Sequence, residues 1–280
     1  MNDSGLTAPP PPLRQPLPVI QGLWYGSSTL GQMERLSIAS FLHHGHPYHL
    51  YSYDEIGNLP AGAELKDARA IHPHFEMIRN RDGKVLGAAF SDLFRYKLLY
   101  ERGSYWADLD VVCVRPFDFD DPVVLAAERH RPNAQLKVRI AEGASFGINC
   151  NVMRFPPASA AMAFCYETAL HFDRSQLVFG EIGPELTTRC ALKFNLQPFI
   201  KPPETFNPID YFRFRDLVNP HHKPRIGPET HAVHLWSGAW GNRTWKQQVL
   251  NVLQRTPAQL KNDRFPTTTL YGEFLDRYLS

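Results

Sequence analysis

The sequence predicts a single α/β domain, with a mostly parallel central sheet flanked by helices and an elaborated C-terminal half. Three observations carry this. Strand-like and helix-like segments alternate as β-α-β-β-α-β over residues 19–114, the order of a sheet built by crossover connections. The helical segments carry apolar stripes at three- and four-residue spacing, and the strand segments are rich in β-branched and aromatic residues. At 280 residues with 43% hydrophobic and 21% charged content, the chain is long enough to bury a full core.

The first eighteen residues include Pro9 to Pro12, Pro16 and Pro18 and predict a disordered or polyproline tail over 1–18, with the domain running over 19–280. Val19 to Tyr25 is the first strand, ending at Gly26. A helix follows to Leu42 with Leu30, Met33, Leu36 and Phe41 as apolar positions and Gly45 as its stop. Tyr48 to Tyr53 is a second strand and Asp67 to Ile71 a short third.

The next segment is the most informative. Phe90, Leu93, Phe94, Leu98 and Leu99 form one stripe of a helix from Leu86 to Arg102, stopped by Gly103. Asp92 and Arg95, three residues apart, share a different face of it. Tyr105 to Val114 then predicts one strand running into Asp108-Leu-Asp110. In an extended backbone residues two apart project to the same side, so the two carboxylates would lie together. Buried like charges repel, and a divalent cation with a preference for oxygen ligands relieves the repulsion. The triplet alone occurs on many solvated loops; here an apolar strand leads straight into it, at the strand end where α/β sheets bind ligands. Trp24 to Gly26 would face the same crevice.

Beyond it, Val123 to Ala127 and Ser145 to Arg154 predict further strands, and Ser159 to Phe172 a helix. Gly183-Pro184 opens a helix from Glu185 to Lys193, proline being tolerated in a first turn. Gln197 to Phe214 is rich in aromatics and prolines and is expected to be loop. With the segment to Arg225 it is the expected acceptor side of the site. His231 to Trp236 is a late strand and Leu270 to Leu279 a docked C-terminal helix.

Other chemistries are disfavoured. A net charge of +2 gives no warrant for a nucleic-acid partner. The four cysteines, at 113, 150, 165 and 190, lack Cys-X-X-Cys spacing and are expected to be reduced and buried. The histidines of the 43–46 and 221–222 clusters are expected to be solvated. No apolar run spans a bilayer and no secretory h-region is evident, so a cytoplasmic location with at most peripheral membrane contact is expected.

Taken in order, Phe90-Ser-Asp-Leu-Phe-Arg95, Gly103 and Asp108-Leu-Asp110 resemble the signature of retaining glycosyltransferases with a sugar-binding region containing the DXD motif, a group that includes yeast-type mannosyltransferases and α-1,4-galactosyltransferases. Ile20 to Gly26, Ile148 to Arg154, Gly183-Pro-Glu-Leu-Thr187 and Ala232 to Trp236 are similar to further segments of that family. The resemblance implies a GT-A fold acting on a nucleotide sugar, usually UDP-linked, with Mn²⁺ or Mg²⁺, and an acceptor that is a glycan or lipid-linked sugar. It implies Asp110 as principal metal ligand, Asp108 on the metal or ribose, and His234 as third ligand, which suits Mn²⁺ better than Mg²⁺. It places Trp24 against uracil, with Tyr25, Gly26 and Ser237 also on the nucleotide and Trp240 over the phosphates. Asp92, Arg95 and Asn151 would surround the donor sugar. Two departures stand out: Gly103-Ser104 where the family usually has Gly-Gly, and Ala239-Trp240 where it often has Ser-Trp, so that Ser237 is expected to replace the missing hydroxyl. No residue presents itself as a nucleophile, which favours same-face attack by the acceptor. A non-catalytic nucleotide-sugar or glycan-binding module of the same fold is the alternative.

Overall fold

The computed structural model of the protein describes residues 16–79, 82–83, 85–131, 140, 146–178, 180–241 and 265–280. The tail expected over 1–18 lies outside them up to residue 15. Pro18 is already tied to the body, its carbonyl 2.8 Å from His46 Nδ1.

Seven strands form the central sheet: β1 (Ile20–Trp24), β2 (Tyr48–Ser52), β3 (Ala63–Asp67), β4 (Ser104–Ala107), β6 (Val124–Arg129), β7 (Phe146–Phe155) and β8 (Ile200–Lys201), in the order β3-β2-β1-β4-β7-β6-β8. The β1–β2, β1–β4, β2–β3 and β6–β8 pairs are parallel, and β7 runs antiparallel to both β4 and β6. The mostly parallel α/β architecture expected from the sequence is therefore present. The helices are α1 (Gln32–His43), α2 (Gly87–Arg102), α3 (Ala160–Leu170), α4 (Leu186–Lys193), α5 (Pro203–Phe206) and α6 (Leu270–Leu279). The α2 stripe of Phe90, Leu93, Phe94 and Leu98 packs with Trp106 and Met153 in one core layer; Ile20, Ile38, Phe41 and Tyr48 occupy another. The C-terminal helix docks as expected, on α1, through a third cluster that includes Met33, Leu36, Tyr271 and Phe274.

Four expectations need correction. The strand expected from Tyr105 to Val114 is two strands. β4 stops at Ala107, residues 108–110 turn, and β5 (Val111–Cys113) leaves the central sheet to pair antiparallel with β9 (Ala232–His234). The Val111 N–H closes the turn onto the Asp108 carbonyl at 3.1 Å, so the two aspartates belong to a turn rather than to one face of a strand. The third strand is Ala63–Asp67, and Asp67 caps a 3-10 turn over Ala68–Ala70 by accepting the Arg69 N–H. The 197–214 region is short elements rather than loop: β8, α5 and the start of a 3-10 segment, Tyr211–Val218. His46, expected in solvent, is buried; the Phe117 N–H also donates to its Nε2, at 2.8 Å.

The Gly103-Ser104 departure has a defined backbone consequence. Both residues take positive φ, 64° and 68°, a region costly for a residue with a Cβ. A Cβ on Gly103 would come 2.6 Å from Pro157 Cδ, so glycine is required there. Ser104 offsets its strain by donating its hydroxyl to the Val19 carbonyl at 2.7 Å, pinning the start of β4 to β1. Among the described residues, no helix is long and apolar enough to cross a membrane. All four cysteines are free and buried.

Candidate active site

Three segments distant in sequence converge at the ends of β4 and β9. The β5–β9 ladder places Val111 opposite His234, and the Leu235 N–H donates to the Asp110 carbonyl at 2.8 Å. The DXD turn and the histidine strand are thereby zipped together. Ligand atoms of Asp108, Asp110 and His234 all lie within 4.8 Å of one another. His234 Nε2 is 3.3 Å from Asp110 Oδ1, and the Ser237 N–H donates to Asp110 Oδ2 at 2.8 Å. That bond depends on Trp236, which adopts φ +58° and so turns the chain back over the carboxylate. Its ring lies 3.9 Å from the His234 ring, and its Nε1 donates to the Ile209 carbonyl.

The electrostatics of the cluster are those of a cation site. Burial pushes the Asp110 carboxyl up, but the His234 imidazole and the Ser237 N–H outweigh it and hold the group below the usual carboxylate range. Burial lowers the His234 imidazole, yet Asp110, with Asp108 and Glu128 behind it, brings it above its ordinary value. Asp108 is raised, by burial first and by Asp110 among its neighbours, against the opposing pull of Arg95. The two acids and the imidazole form a group that could hold a metal ion, and metal binding there would compete with protonation of the imidazole. Two carboxylates and one imidazole are a donor set for a divalent cation.

Arg95 organises the opposite side. Its Nη2 lies 3.4 Å from Asp92 Oδ1 and 3.2 Å from Asp108 Oδ1, and its Nη1 donates to the Cys150 carbonyl at 2.5 Å. The guanidinium stacks over Trp106, 4.9 Å from the ring centroid, while Trp106 Nε1 donates to Asp108 Oδ1 at 2.8 Å. At 3% exposure, Arg95 spends its donors on protein groups. It fixes the two aspartates, and Asp92 and Arg95 both line the larger of two chambers at this cluster. Burial, with Asp108 adding to it, raises Asp92 to about 6 despite Arg95.

Two chambers meet at this cluster. One, of about 330 Å³, is lined by Trp24, Tyr25, Glu34, Ser91 and Ser237; the other, of about 570 Å³, by Asp92, Glu128, Asn149, Tyr211, His234 and Trp236. Arg95, Asp108 and Asp110 line both. Trp24 and Tyr25 are thus brought to the first chamber, with Gly26 turning the chain beside them at φ +86°. Tyr25 is held by a hydrogen bond to the Gly87 carbonyl.

Two expected site residues are elsewhere. Asn151 is fully buried and its Nδ2 donates to Asn207 Oδ1 at 2.9 Å; Asn149, two residues earlier on the same face of β7, lines the chamber instead. Trp240 is buried against Phe265 and Tyr271, with Nε1 donating to the Leu235 carbonyl. It belongs to the C-terminal core, and the aromatic surfaces that line the larger chamber are Trp236 and Tyr211.

Sequence reasoning missed Glu128, Asn149, Asn207 and Tyr211. Glu128 carried the signal used for Asp108: an acid at the end of the apolar run Val123-Val-Leu-Ala-Ala127. Asn207 carried none, since its role depends on long-range packing.

Fold and site together define an α/β protein with an acidic, metal-type cluster between two ligand chambers. Residues 37–129 match the family model for the glycosyltransferase sugar-binding region containing DXD motif. Among solved structures, the protein is similar to the PaToxG glycosyltransferase, at 12% identity over 65% of this chain and 71% of that one, with a TM-score of 0.45. It is also similar to the glycosyltransferase GlyE of Streptococcus pneumoniae TIGR4, at 13% identity over 68% of this chain and 46% of that one, TM-score 0.40. The bifunctional glycosyltransferase WbbM shares 10% identity over 98% of this chain and 53% of that one, TM-score 0.43. Comparison with curated proteins gives no match.

Proposed function

We propose that the protein is a metal-dependent retaining glycosyltransferase of GT-A type, moving a sugar from a UDP-linked nucleotide-sugar donor to a hydroxyl of a glycan or lipid-linked sugar in the cytoplasm. The observation that supports this most is the sharing of Asp108 and Asp110 by two chambers of unequal size, with His234 beside them on the wall of the larger. A nucleotide sugar has that shape: a flat base and ribose on one side, a hydroxyl-rich ring on the other, and a dianionic bridge between them. Trp24 and Tyr25 suit the base, and Asp108 the ribose or the metal. Asp92, held by Arg95, suits a donor hydroxyl, and the walls near Tyr211 suit the acceptor.

Asp108, Asp110 and His234 would hold the ion, which when bound neutralises charge on the departing diphosphate. The chain's own contribution is preorganisation. Arg95 and Ser237 fix the aspartates before substrate arrives, so little reorganisation is needed as charge develops. Trp236 shields the imidazole on one face. Same-face attack by the acceptor needs only that donor and acceptor hydroxyl be held together in the larger chamber.

The test is direct. Incubation with a panel of UDP-sugars and Mn²⁺ should release UDP slowly even to water, and Asp110→Ala should abolish release. A folded protein that binds a UDP-sugar with Mn²⁺ but never releases UDP would be a binding module. One that neither binds nor cleaves any nucleotide sugar would refute the proposal.

A further inference from the structure

The wall of the larger chamber carries four carboxylates, and one is treated differently from the rest. Asp92 and Asp108 share Arg95, and Asp110 faces His234. Glu128, near the end of β6, has no cation within ion-pair distance among the described residues. Its hydrogen bond comes from a neutral amide, Asn149 Nδ2 to Oε2 at 2.8 Å. The adjacent Arg129 does not neutralise it, because successive strand residues point to opposite faces and Arg129 binds Glu204 and Asp210 instead. A register shift between Leu125 and Ala126 interrupts the β6–β7 ladder just before this point, and such irregularities re-aim side chains beside active sites.

A partly buried carboxylate with no cation at ion-pair distance is unfavourable, and a glutamine would satisfy Asn149 equally well. Besides Asn149, the His234 imidazole on the wall of the same chamber favours its negative charge, and it does so without an ion-pair contact. The chamber that it lines is the one assigned above to the sugar, and a sugar leaving a diphosphate becomes positively charged at its anomeric carbon.

We infer that Glu128 is a catalytic carboxylate that contacts the transferred sugar and stabilises positive charge at its anomeric carbon. The inference rests on the transferase reading and deepens it. In the transfer, the bond from the anomeric carbon to the diphosphate oxygen breaks with its electron pair going to that oxygen. The acceptor hydroxyl oxygen bonds to the carbon, and its proton passes to the released diphosphate. Glu128 neither gives nor takes a proton in the step.

The experiment compares wild type, Glu128→Gln and Glu128→Asp as full-length proteins. Glu128→Gln keeps the size and the acceptor for Asn149 while removing the charge. Its kcat for UDP release should fall by about 10²-fold or more, the scale of losing one electrostatic stabiliser. Donor affinity, measured by calorimetry with UDP-sugar and Mn²⁺, should change little, and the thermal midpoint should equal or exceed that of wild type. Glu128→Asp should recover part of the kcat. A Glu128→Gln protein with kcat within a few-fold of wild type overturns the inference, as does one whose donor affinity or midpoint falls in step with turnover. Wild type that releases no UDP from any donor overturns the transferase reading and this inference with it. Wild-type turnover with an indifferent Glu128→Gln overturns this inference alone.

Discussion

Asn207 holds the His234 imidazole in one tautomer. Asn207 Nδ2 donates to the Ala127 carbonyl at 2.8 Å, which fixes the amide orientation and leaves Oδ1 as an acceptor. His234 Nδ1 lies 3.2 Å from that oxygen and must therefore carry a proton, so Nε2 is the nitrogen turned to the cluster. Asn151 braces the same oxygen from behind. Partners of this kind orient metal-binding histidines. Asn207→Ala should weaken Mn²⁺ binding to the UDP-loaded protein by about 10–100-fold, measured by calorimetric titration. Unchanged affinity would mean that the imidazole is no ligand.

The protonation of Asp92 sets a pH dependence of stability. In the unfolded chain its carboxyl titrates near 3.8, in the folded protein near 6. Between these values the folded state holds a proton that the unfolded state has released, so the contribution of Asp92 to stability falls as pH rises through that window. Urea unfolding of wild type and Asp92→Asn from pH 4 to 7 should show wild type gaining on the variant as pH is lowered, by on the order of 1–3 kcal/mol. The opposite slope would mean that Arg95 dominates over burial.

Much of the fold was legible in the sequence because it is local. The α2 stripe, the Gly103 stop and the docked C-terminal helix all follow from spacing and from residues that only one conformation suits. The Asp92–Arg95 pair and the cluster of Asp108, Asp110 and His234 were legible as a constellation. What was not legible depends on tertiary choice. The residues from Tyr105 to Val114 have uniform strand propensity, and only the pairing of β5 with β9 breaks them at the aspartates. Asn149 and Asn151 are alike in type and share a strand face, and packing alone decides which lines the chamber and which braces Asn207. Trp240 is expected over the phosphates only from the family resemblance, whereas Tyr271 of α6 and Phe265 claim it for the core.

Gly183 is fixed by the carboxylate beneath it. The chain passes over Asp92 within the π-turn of Glu181–Glu185, and a Cβ at Gly183 would come 2.6 Å from Asp92 Oδ2. Gly183→Ala must displace either the turn or the carboxylate. Overpacking of this kind costs about 1–3 kcal/mol. The variant should lose donor affinity as well as stability, seen as a smaller thermal shift with UDP-sugar than wild type gives. A full donor-induced shift in Gly183→Ala would separate Asp92 from the sugar.

Ser104 allows backbone strain and a hydrogen bond to be measured apart. Ser104→Ala keeps the strained φ and loses the bond to Val19, and should destabilise the protein by about 1 kcal/mol. Ser104→Gly loses the bond but relieves the strain, and should lie near wild type. Denaturant midpoints give both. A glycine variant less stable than the alanine one would show that the positive φ costs nothing here.

The short ladder between β5 and β9 also decides how small a working version of this protein can be. The 37–129 stretch contains both aspartates of the DXD turn but neither the strand that supports β5 nor the imidazole that completes the cluster. Expressed alone, that stretch would present an acidic turn with no third ligand. Cation capture thus becomes a property of the closed chain, and a cut anywhere between β6 and β9 would report itself first as lost Mn²⁺ uptake, ahead of any change in sugar chemistry.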